Sequence, residues 1–250
     1  ISAYGKVFGK IMIYLNKWAI LHTDYPICCS ESIRDMYAKK IKKKIYYIQN
    51  GVDVKKYKFI PENKLKIREE IQVSSNKIMI IVSGSLCERK DPLFILNAIS
   101  SMNLEDKGEV VFIGQGQLYE ECKKYESDNI IFKGAVTDVE KYLNAADVYI
   151  SASKSEGLPN SVLEAAACGL EVILSNIPQH IEIFKKAPKL ANFFELGNQE
   201  EFKECLKKVL ENKQRNNEMI SQYINFNFSS KRNSEKYAEI YNIILKNREL

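Results

Sequence analysis

The feature that most constrains this chain is an alternation of short apolar runs with amphipathic segments between residues 77 and 175. The apolar runs predict buried strands at 77–83, 109–113, 130–132, 147–151 and 171–175. Helical spacing and helix-start signals between them predict helices at 91–102, 118–125, 139–145 and 160–168. Strands that alternate with helices form a parallel sheet covered on both faces, so the predicted fold class is α/β, a Rossmann-like doubly wound parallel sheet.

Weaker patterns flank this region. Near the start of the chain, apolar runs on either side of a helical pattern predict a strand, a helix and a strand at 25–29, 30–41 and 45–48. The Asn50-Gly51 dipeptide marks a turn, and the polar stretch 53–63 is the predicted linker. From residue 200 onward the chain is predicted to be helical.

Composition excludes several classes of protein. Of the 250 residues 45% are hydrophobic and 28% are charged, which is typical of a globular chain rather than a disordered one. The six cysteines have no C-x-x-C spacing, so we expect free thiols in a reducing cytoplasm. His22 and His180 are the only histidines and are interpreted as surface or packing residues, so no metal site is expected. The apolar stretch 7–21 is interrupted by Lys10 and Lys17, so neither a membrane span nor a signal peptide is predicted.

Positive charge is concentrated at the start of the chain. The first 60 residues contain 12 Lys and Arg against 4 Asp and Glu, whereas the net charge of the whole chain is +5. The excess centres on Lys39, Lys40, Lys42, Lys43 and Lys44. Such a cluster is either a solvated helix end or a surface for anionic lipid headgroups. No nucleic-acid-binding motif accompanies it, so we expect a weak peripheral membrane contact at most and no nucleic-acid partner.

The loops after the predicted strands are where a doubly wound sheet binds its ligand. The first loop runs from Gly84 to Lys90, and its lysine is either a charge for phosphate or an ordinary surface lysine. Gly114 and Gly116 follow the next strand. A dinucleotide fingerprint needs a third glycine where this chain has Tyr119, so nicotinamide binding is disfavoured.

The strongest signal is the segment SEGLPNSVLEAAACG, which begins at residue 155. Pro159 is placed like a first-turn helix proline and Gly169 like a helix terminator, so the free amides of the helix start would form an anion site. Glu156 and Glu164 flank that site, and carboxylates accept strong hydrogen bonds from sugar hydroxyls. The alternative is a capped helix that carries two exposed glutamates.

This Glu-x7-Glu spacing resembles the signature of retaining GT-B glycosyltransferases of the large family 4. Further segments resemble the motifs of that family in the same order, namely 50–53 (NGVD), 84–90, 111–116 (VFIGQG), 132–136, 146–148 and 175–182 (SNIPQHIE). The resemblance covers about residues 25–250. It implies a GT-B fold in which nucleotide and sugar bind in a cleft between two Rossmann-like domains.

The resemblance implies a role for each matching residue. Glu164 would hold the ribose hydroxyls of the donor, and Glu156 would contact the donor sugar or lie beside the reacting centre. Lys90 would neutralise the departing diphosphate, so Glu156 and Lys90 are the implied catalytic residues. The base would lie against the backbone at 133–136. The remaining implied donor-binding positions are Gly84, Ser85, Gly114, Gly116, Val136, Leu158, Pro159, Asn160 and Ser161. The family implies no essential metal and no cofactor beyond the nucleotide-sugar substrate.

The chain departs from the family pattern at several positions. Ser85 stands where the family commonly has arginine, which removes one phosphate partner, and we expect the neighbouring Arg89 to face away from the site. Glu171 replaces a usual proline, which we interpret as neutral. The family's N-terminal glycine loop has no counterpart, and His22 lies in the wrong context to match its donor-contacting histidine.

These departures lead to a predicted division of the chain. Residues 1–52 would be the remnant of an N-terminal acceptor domain, 53–228 a complete donor-binding domain, and 229–250 a helix that packs back toward the N-terminal domain. The chain starts with Ile1 and lacks most of the acceptor domain, so we expect a truncated chain that is inactive alone.

The expected function is transfer of a sugar, with retention, from a nucleotide-diphosphate donor to a glycan or lipid-linked acceptor. The expected setting is cell-surface polysaccharide synthesis, in the cytoplasm at the inner face of the membrane. One alternative is a non-catalytic nucleotide-sugar-binding module, which Ser85 favours. A weaker alternative is an epimerase of the same fold.

Overall fold

The computed structural model describes residues 5–102, 104, 107–212 and 214–248. This part of the chain contains eight strands: β1 Ile27–Cys28, β2 Tyr46–Tyr47, β3 Ile78–Ser83, β4 Gly108–Ile113, β5 Ile130–Gly134, β6 Val148–Ser151, β7 Glu171–Ser175 and β8 Asn192–Phe194. β1 and β2 form a small parallel sheet. The other six strands form one parallel sheet in the order β5-β4-β3-β6-β7-β8. The predicted α/β fold with a doubly wound parallel sheet is confirmed.

Helices cover both faces of the large sheet. The α-helices of the described residues are α1 Gly5–His22, α2 Glu31–Ala38, α3 Lys64–Glu70, α4 Pro92–Ser100, α5 Tyr119–Lys123, α6 Val139–Ala145, α7 Asn160–Ala167, α8 Pro178–Phe184, α9 Gln199–Glu211, α10 Asn217–Phe228 and α11 Ser230–Arg248. Short 3-10 helices lie at Pro61–Asn63 and Pro188–Leu190. Local sequence explains several of the starts: the side chains of Ser30 and Asn198 cap α2 and α9, and prolines begin α4 and α8.

Strand alternation divides the hydrophobic core into two layers. In β3, Met79 and Ile81 belong to the layer on one face of the sheet, while Ile80 and Val82 belong to the other. The first layer includes side chains of α7 and α10, and the second includes side chains of α4 and α9. Strands buried on both faces need apolar side chains at every position, which is why these strands appear in the sequence as continuous apolar runs.

The strand order reverses beside β3. The chain passes from β3 outward to β4 and β5, and then returns to place β6 on the other side of β3, with β7 and β8 beyond. The carboxyl ends of β3 and β6 therefore lie side by side at the switch point, which is where an open parallel sheet forms its ligand crevice.

The predicted elements differ from the observed ones mainly at weak signals. The predicted strands 25–29 and 45–48 shorten to β1 and β2, and the predicted helix 30–41 ends at Ala38. Apart from the short 3-10 helices, four elements were not predicted: α1, α3, α8 and β8. β8 has only three residues, too few to show an alternation.

A buried charged cluster ties α3 to the sheet. Arg68 is 4% exposed, and its guanidinium donates to the carboxylate of Asp147 at 2.6 Å and to the carbonyl of Ala145 at 2.8 Å. Lys64 pairs with the other oxygen of Asp147, and Asp147 also accepts the backbone N–H of Met79 at 2.8 Å. Every charge in the cluster is paired, as burial requires.

The backbone passes the same place twice, at residues 51–52 and again at residues 228–230. Val52 donates its N–H to the carbonyl of Phe228 at 2.8 Å, and Ser230 donates its N–H to the carbonyl of Val52 at 2.9 Å. Gly51 is required by this approach, because a Cβ atom there would lie 2.8 Å from the Cα of Ser230. The predicted linker 53–63 begins here and has no regular structure before the 3-10 helix at Pro61–Asn63.

Candidate functional site

Three loops meet at the switch point, one from the carboxyl end of each of β3, β4 and β6. They span residues 84–91, 114–118 and 152–159. The backbone N–H of Lys154 donates to the carbonyl of Arg89 at 2.8 Å, which joins the first and third loops. The N–H of Leu86 donates to the carbonyl of Gln115 at 3.0 Å, which joins the first and second loops.

Glycines allow the first two loops to pack closely. Gly84 and Gly114 have φ values of +124° and +129°, which side chains disfavour. A Cβ atom on Gly114 would lie 2.0 Å from the carbonyl oxygen of Gly84, and one on Gly116 would lie 2.4 Å from that of Leu86. These glycines therefore permit backbone contact between the loops.

A cavity of about 220 Å³ opens between these loops and the start of α7. Five of the predicted donor-binding residues line it: Gly84, Gly114, Val136, Ser161 and Glu164. Of the other lining residues, Ala135 lies in the stretch 133–136 predicted to border the base, whereas Ser83, Ile113 and Val139 were not singled out from the sequence. Most of these additional residues are small or apolar and carry no functional motif of their own.

Glu164 lies on α7 with its carboxylate at this cavity. Burial raises the pKa of Glu164, and the carboxylate of Glu140 adds to that effect, although a hydrogen bond with Tyr57 and the charges of Lys56 and Lys90 oppose it. Burial and the Glu164 charge in turn raise the pKa of Tyr57 to about 12. Glu164 is therefore a partly buried carboxylate near the hydroxyl of Tyr57, and not an exposed glutamate.

Glu156 lies in a compact ion-pair cluster with Arg89 and Lys90. Its side chain is 8% exposed, with Lys90 Nζ 2.7 Å from one carboxylate oxygen and Arg89 Nη1 2.5 Å from the other. Burial alone would raise the pKa of Glu156, but Lys90, a hydrogen bond from Ser153 and Arg89 together hold it below its usual value. The alternative interpretation, a capped helix that carries two exposed glutamates, is therefore wrong for Glu156.

The prediction that Arg89 faces away is wrong. Its guanidinium contacts Glu156 and donates to the carbonyl of Ser155 at 2.9 Å. The expectation assumed that successive residues point to opposite sides, as in a strand. The turn at 87–91 instead brings both basic side chains to one carboxylate, since Lys90 and Asp91 each donate a backbone N–H to the carbonyl of Cys87.

The start of α7 presents amides without a side-chain cap. Pro159 is the N-cap residue rather than a residue of the first turn, and its side chain has no acceptor for the first helical N–H groups. Asn160 is exposed and Leu158 is buried, with the Leu158 carbonyl accepting a hydrogen bond from Asn50 at 2.9 Å. Ser161 lines the cavity. The helix start therefore offers N–H groups to an anion beside the cavity.

Ser85 and Gly116, like Leu158, Pro159 and Asn160, do not line the cavity. Ser85 is exposed and borders, with Lys90, a small adjoining space of about 10 Å³. Gly116 packs on the Leu86 carbonyl. Both stay predictions as ligand contacts.

A buried histidine, His180, lies behind the ion-pair cluster of Glu156 and was not predicted from the sequence to belong to the site. His180 on α8 is fully buried, and its Nδ1 lies 2.8 Å from the Ser175 carbonyl, which can only accept a hydrogen bond. Its Nε2 is buried without a partner among the described residues. Ser175 donates to the carbonyl of Ser153 at 2.7 Å, which connects this histidine to the loop that carries Glu156. A lone histidine has no spacing signal that could have identified this role.

The described residues contain no cluster of three or more His, Cys, Asp and Glu side chains that could hold a metal ion. All six cysteines have free thiols. No helix in the described ranges is both long enough and apolar enough to span a membrane. Four of the five lysines between residues 39 and 44 are exposed.

The sheet order, the switch-point cavity and the uncapped helix start are those of an open α/β domain with its ligand crevice at the carboxyl ends of the strands. The sequence matches the model of the glycosyl transferases group 1 family over residues 63–226, and the chain belongs to that family. Among solved structures, it is similar to sucrose-phosphate synthase from Thermosynechococcus elongatus, with a TM-score of 0.83 and 14% identity over 95% of this chain and 62% of that one. It is also similar to HepE from Anabaena solved with UDP and glucose, with a TM-score of 0.78 and 18% identity over 90% of this chain and 64% of that one. These neighbours confirm the GT-B type of fold.

Curated relatives extend the family assignment. The chain is 33% identical over 168 residues to the UDP-Gal:alpha-D-GlcNAc-diphosphoundecaprenol alpha-1,3-galactosyltransferase of Escherichia coli, covering 63% of this chain and 42% of the relative. It is 29% identical to the alpha-monoglucosyldiacylglycerol synthase of Streptococcus pneumoniae, covering 70% of this chain and 43% of that relative. The chain therefore spans less than half of the length of these two relatives.

Proposed function

We propose that this chain is the donor-binding part of a glycosyltransferase that moves a sugar from a nucleotide diphosphate to a glycan or lipid-linked acceptor. One observation carries the proposal. At the switch point, a cavity with Glu164 on its wall lies beside the uncapped start of α7 and the pair formed by Lys90 and Glu156. Binding of a nucleotide-sugar donor needs three features: a carboxylate that accepts hydrogen bonds from sugar hydroxyls, an anion site for the diphosphate, and a cation near that diphosphate.

Each group has a physical role in this proposal. Glu164 accepts hydrogen bonds from the ribose hydroxyls, and the backbone near Ala135 and Val136 borders the base. The diphosphate lies at the start of α7, where helix amides and the helix dipole favour negative charge. Lys90 stabilises the negative charge that develops on the diphosphate as the sugar leaves.

Donor binding must compete with an existing interaction in this site. Lys90 is already paired with Glu156, so the diphosphate either shares the ammonium group with Glu156 or displaces it. Arg89 keeps a second cation on Glu156 in either case, so the carboxylate is not left buried and unpaired. Arg89 thereby compensates in part for the arginine that Ser85 replaces.

Retention, family 4 membership and a role in cell-surface polysaccharide synthesis are part of the proposal. They rest on the motif resemblance around Glu156 and Glu164. The acceptor class is supported by two relatives, whose names include diphosphoundecaprenol and diacylglycerol. We further propose the division into 1–52, 53–228 and 229–250, with the first part contributing to the acceptor side. The anomeric configuration of the product, measured by NMR, tests retention.

The proposed location is the cytoplasm at the inner face of the membrane. The lysines at 39–44 are mostly exposed and carry the charge excess of the first 60 residues, which supports a weak peripheral contact with anionic lipids.

Donor binding is tested by calorimetric titration of the chain with UDP, GDP and ADP. We expect one of the three to bind, and Lys90→Ala and Glu164→Ala each to weaken that binding by roughly 10- to 100-fold, because hydrogen bonds to charged groups contribute about 1.5–3 kcal/mol. Lys124→Ala and Glu211→Ala change the same residue types at exposed positions outside the site and serve as controls. Unchanged affinity in both site variants would contradict the assignment.

A transfer assay separates the enzyme from a binding module. The full-length product of the gene is incubated with the nucleotide sugar that binds and with a diphosphoundecaprenol-linked acceptor, in parallel with the 250-residue chain. We expect transfer by the full-length product, and donor binding without transfer by the 250 residues alone. Donor binding without transfer by the full-length product would support the non-catalytic module.

A further inference from the structure

A second and larger cavity lies where the first 50 residues meet α8, α10 and α11. Its volume is about 650 Å³, and it shares no lining residue with the cavity that holds Glu164. Its walls carry four basic side chains and two acidic ones: Lys185, Lys186, Arg232, Lys236, Glu31 and Glu182. We call it the basic cavity.

The two acidic groups of the basic cavity are already engaged within the protein. The carboxylate of Glu182 accepts the backbone N–H groups of Glu31 and Ser32 at 2.8 and 2.9 Å, and the amide of Gln49 at 2.8 Å. Glu31 pairs with Lys185 at 3.1 Å and with Arg34 at 3.2 Å. Neither acid is left to neutralise the other basic groups.

Three cations of the basic cavity have no such partner. Within the part of the chain that the structure describes, Lys186, Arg232 and Lys236 form no ion pair with a carboxylate. Burial, followed by the charges of Arg232 and Lys186, lowers the pKa of Lys236, although Glu239 and Glu182 oppose this. Like charges that share one partly buried space repel each other, and a bound anion would remove that repulsion.

The geometry favours a phosphate group over a carboxylate. Arg232 and Lys236 are one helical turn apart on α11 and so share a face, while Lys186 comes from the end of α8. Three uncompensated positive charges match the charge of about −1.5 to −2 on a phosphate monoester better than the single charge of a carboxylate. A cavity of 650 Å³ also has the size of a small-molecule site rather than of a simple ion site.

We propose that the basic cavity is a second ligand site, which binds a phosphate group through Arg232, Lys236 and Lys186. That chemistry has two sources, a soluble phosphorylated metabolite and the headgroup of a phospholipid.

The first measurement is calorimetric titration with glycerol 3-phosphate. It is made in a Lys90→Ala background, so that the proposed donor site does not contribute. We expect saturable binding that the pair Arg232→Gln and Lys236→Gln weakens at least about tenfold, as expected from the loss of charge-assisted hydrogen bonds. The matched control is Lys231→Gln with Lys246→Gln, which removes the same charge from exposed positions of the same helix. It should change the affinity by no more than about twofold.

The second measurement is flotation with vesicles that contain phosphatidic acid, whose headgroup is a phosphate monoester, or only phosphatidylcholine. The site is assigned to a lipid headgroup if vesicle binding requires phosphatidic acid, is lost in the variant with both α11 substitutions and persists in the control variant. Both measurements are repeated with Lys186→Gln, which lies in the turn after α8 and leaves α11 unchanged. Thermal unfolding checks that each variant is folded. The proposal is overturned if neither probe binds, or if the control pair loses binding as much as the cavity pair.

Discussion

At the scale of single residues, the site depends on how buried polar groups find partners. Glu156 is paired with two cations and Glu164 lies near the hydroxyl of Tyr57, whereas the Nε2 atom of His180 has no partner among the described residues. Sequence analysis predicted the two glutamates because their spacing is a motif. It could not predict the environment of His180, because its burial depends on how α8 packs against the end of β7.

Protonation of His180 is expected to destabilise the fold in acid. Burial is the main cause that lowers its pKa from 6.5 to about 4. The unfolded chain therefore binds more protons between these two values, so the stabilising contribution is complete above about pH 6.5 and is lost as the pH falls toward 4. We expect a loss of about 3 kcal/mol, since one pKa unit corresponds to about 1.4 kcal/mol. Urea unfolding at pH 7 and pH 4 measures it.

Protonation of carboxylates also lowers the free energy of unfolding in acid. The contribution of His180 is therefore measured by comparing variants. His180→Leu should lose less stability between the two pH values than the unchanged protein, whereas His22→Gln, at an exposed position, should behave like the unchanged protein. An identical acid dependence in His180→Leu and the unchanged protein would refute the assignment.

At the scale of elements, strand-end loops set the shape of the site. The predicted strands 77–83, 109–113, 147–151 and 171–175 were confirmed within one residue at each end, because fully buried parallel strands leave continuous apolar runs. The helix α8 was not predicted, since its residues were interpreted through a motif and not through periodicity. The predicted direction of the Arg89 side chain was wrong, because the direction of a side chain in a turn depends on contacts that form only when the loops fold together.

Gly114→Ala should be much more destabilising than Gly197→Ala. Both glycines have positive φ, +129° and +86°, so both alanines strain the backbone. At Gly197 a Cβ atom meets nothing within 4 Å, whereas at Gly114 it would lie 2.0 Å from the carbonyl oxygen of Gly84. We expect about 1 kcal/mol for Gly197→Ala and at least about 3 kcal/mol for Gly114→Ala, because overpacking adds to the strain.

Chemical denaturation measures both values, and the Gly197 variant controls for the positive φ. Equal losses in the two variants would show that the loops separate without cost, and that the contact between Gly84 and Gly114 does not stabilise the site.

At the scale of the whole molecule, the first 50 residues are held to the rest by a few specific contacts. Glu182 on α8 accepts the first amides of α2, which supplies the acceptors that a helix N-terminus lacks. The exposed apolar side chains of α1, among them Phe8, Tyr14 and Trp18, were visible in the sequence only as an interrupted apolar stretch. The sequence could not predict the contact with Glu182, because its partners are about 150 residues away.

Glu182→Ala should loosen α2 without unfolding the large sheet. The amides of Glu31 and Ser32 would lose their carboxylate acceptor, so we expect their hydrogen exchange to become at least about tenfold faster, while amides of β3 keep their protection. Exchange measured by mass spectrometry or NMR tests this. Glu195→Ala, at an exposed position, is the control. Unchanged exchange at α2 would mean that other contacts hold it.

The crossing at Val52 and Ser230 has a mechanical consequence. If residue 52 is the boundary between two parts, as proposed, the backbone passes between them twice at one place, and the two passages are hydrogen-bonded to each other. Such a pair of passages acts as a hinge. Translation of one part relative to the other would break both hydrogen bonds, whereas rotation of one part about the crossing would break neither. Opening and closing of the proposed cleft would then follow a single arc, with the smallest displacement at Gly51 and the largest at the far rim of the sheet.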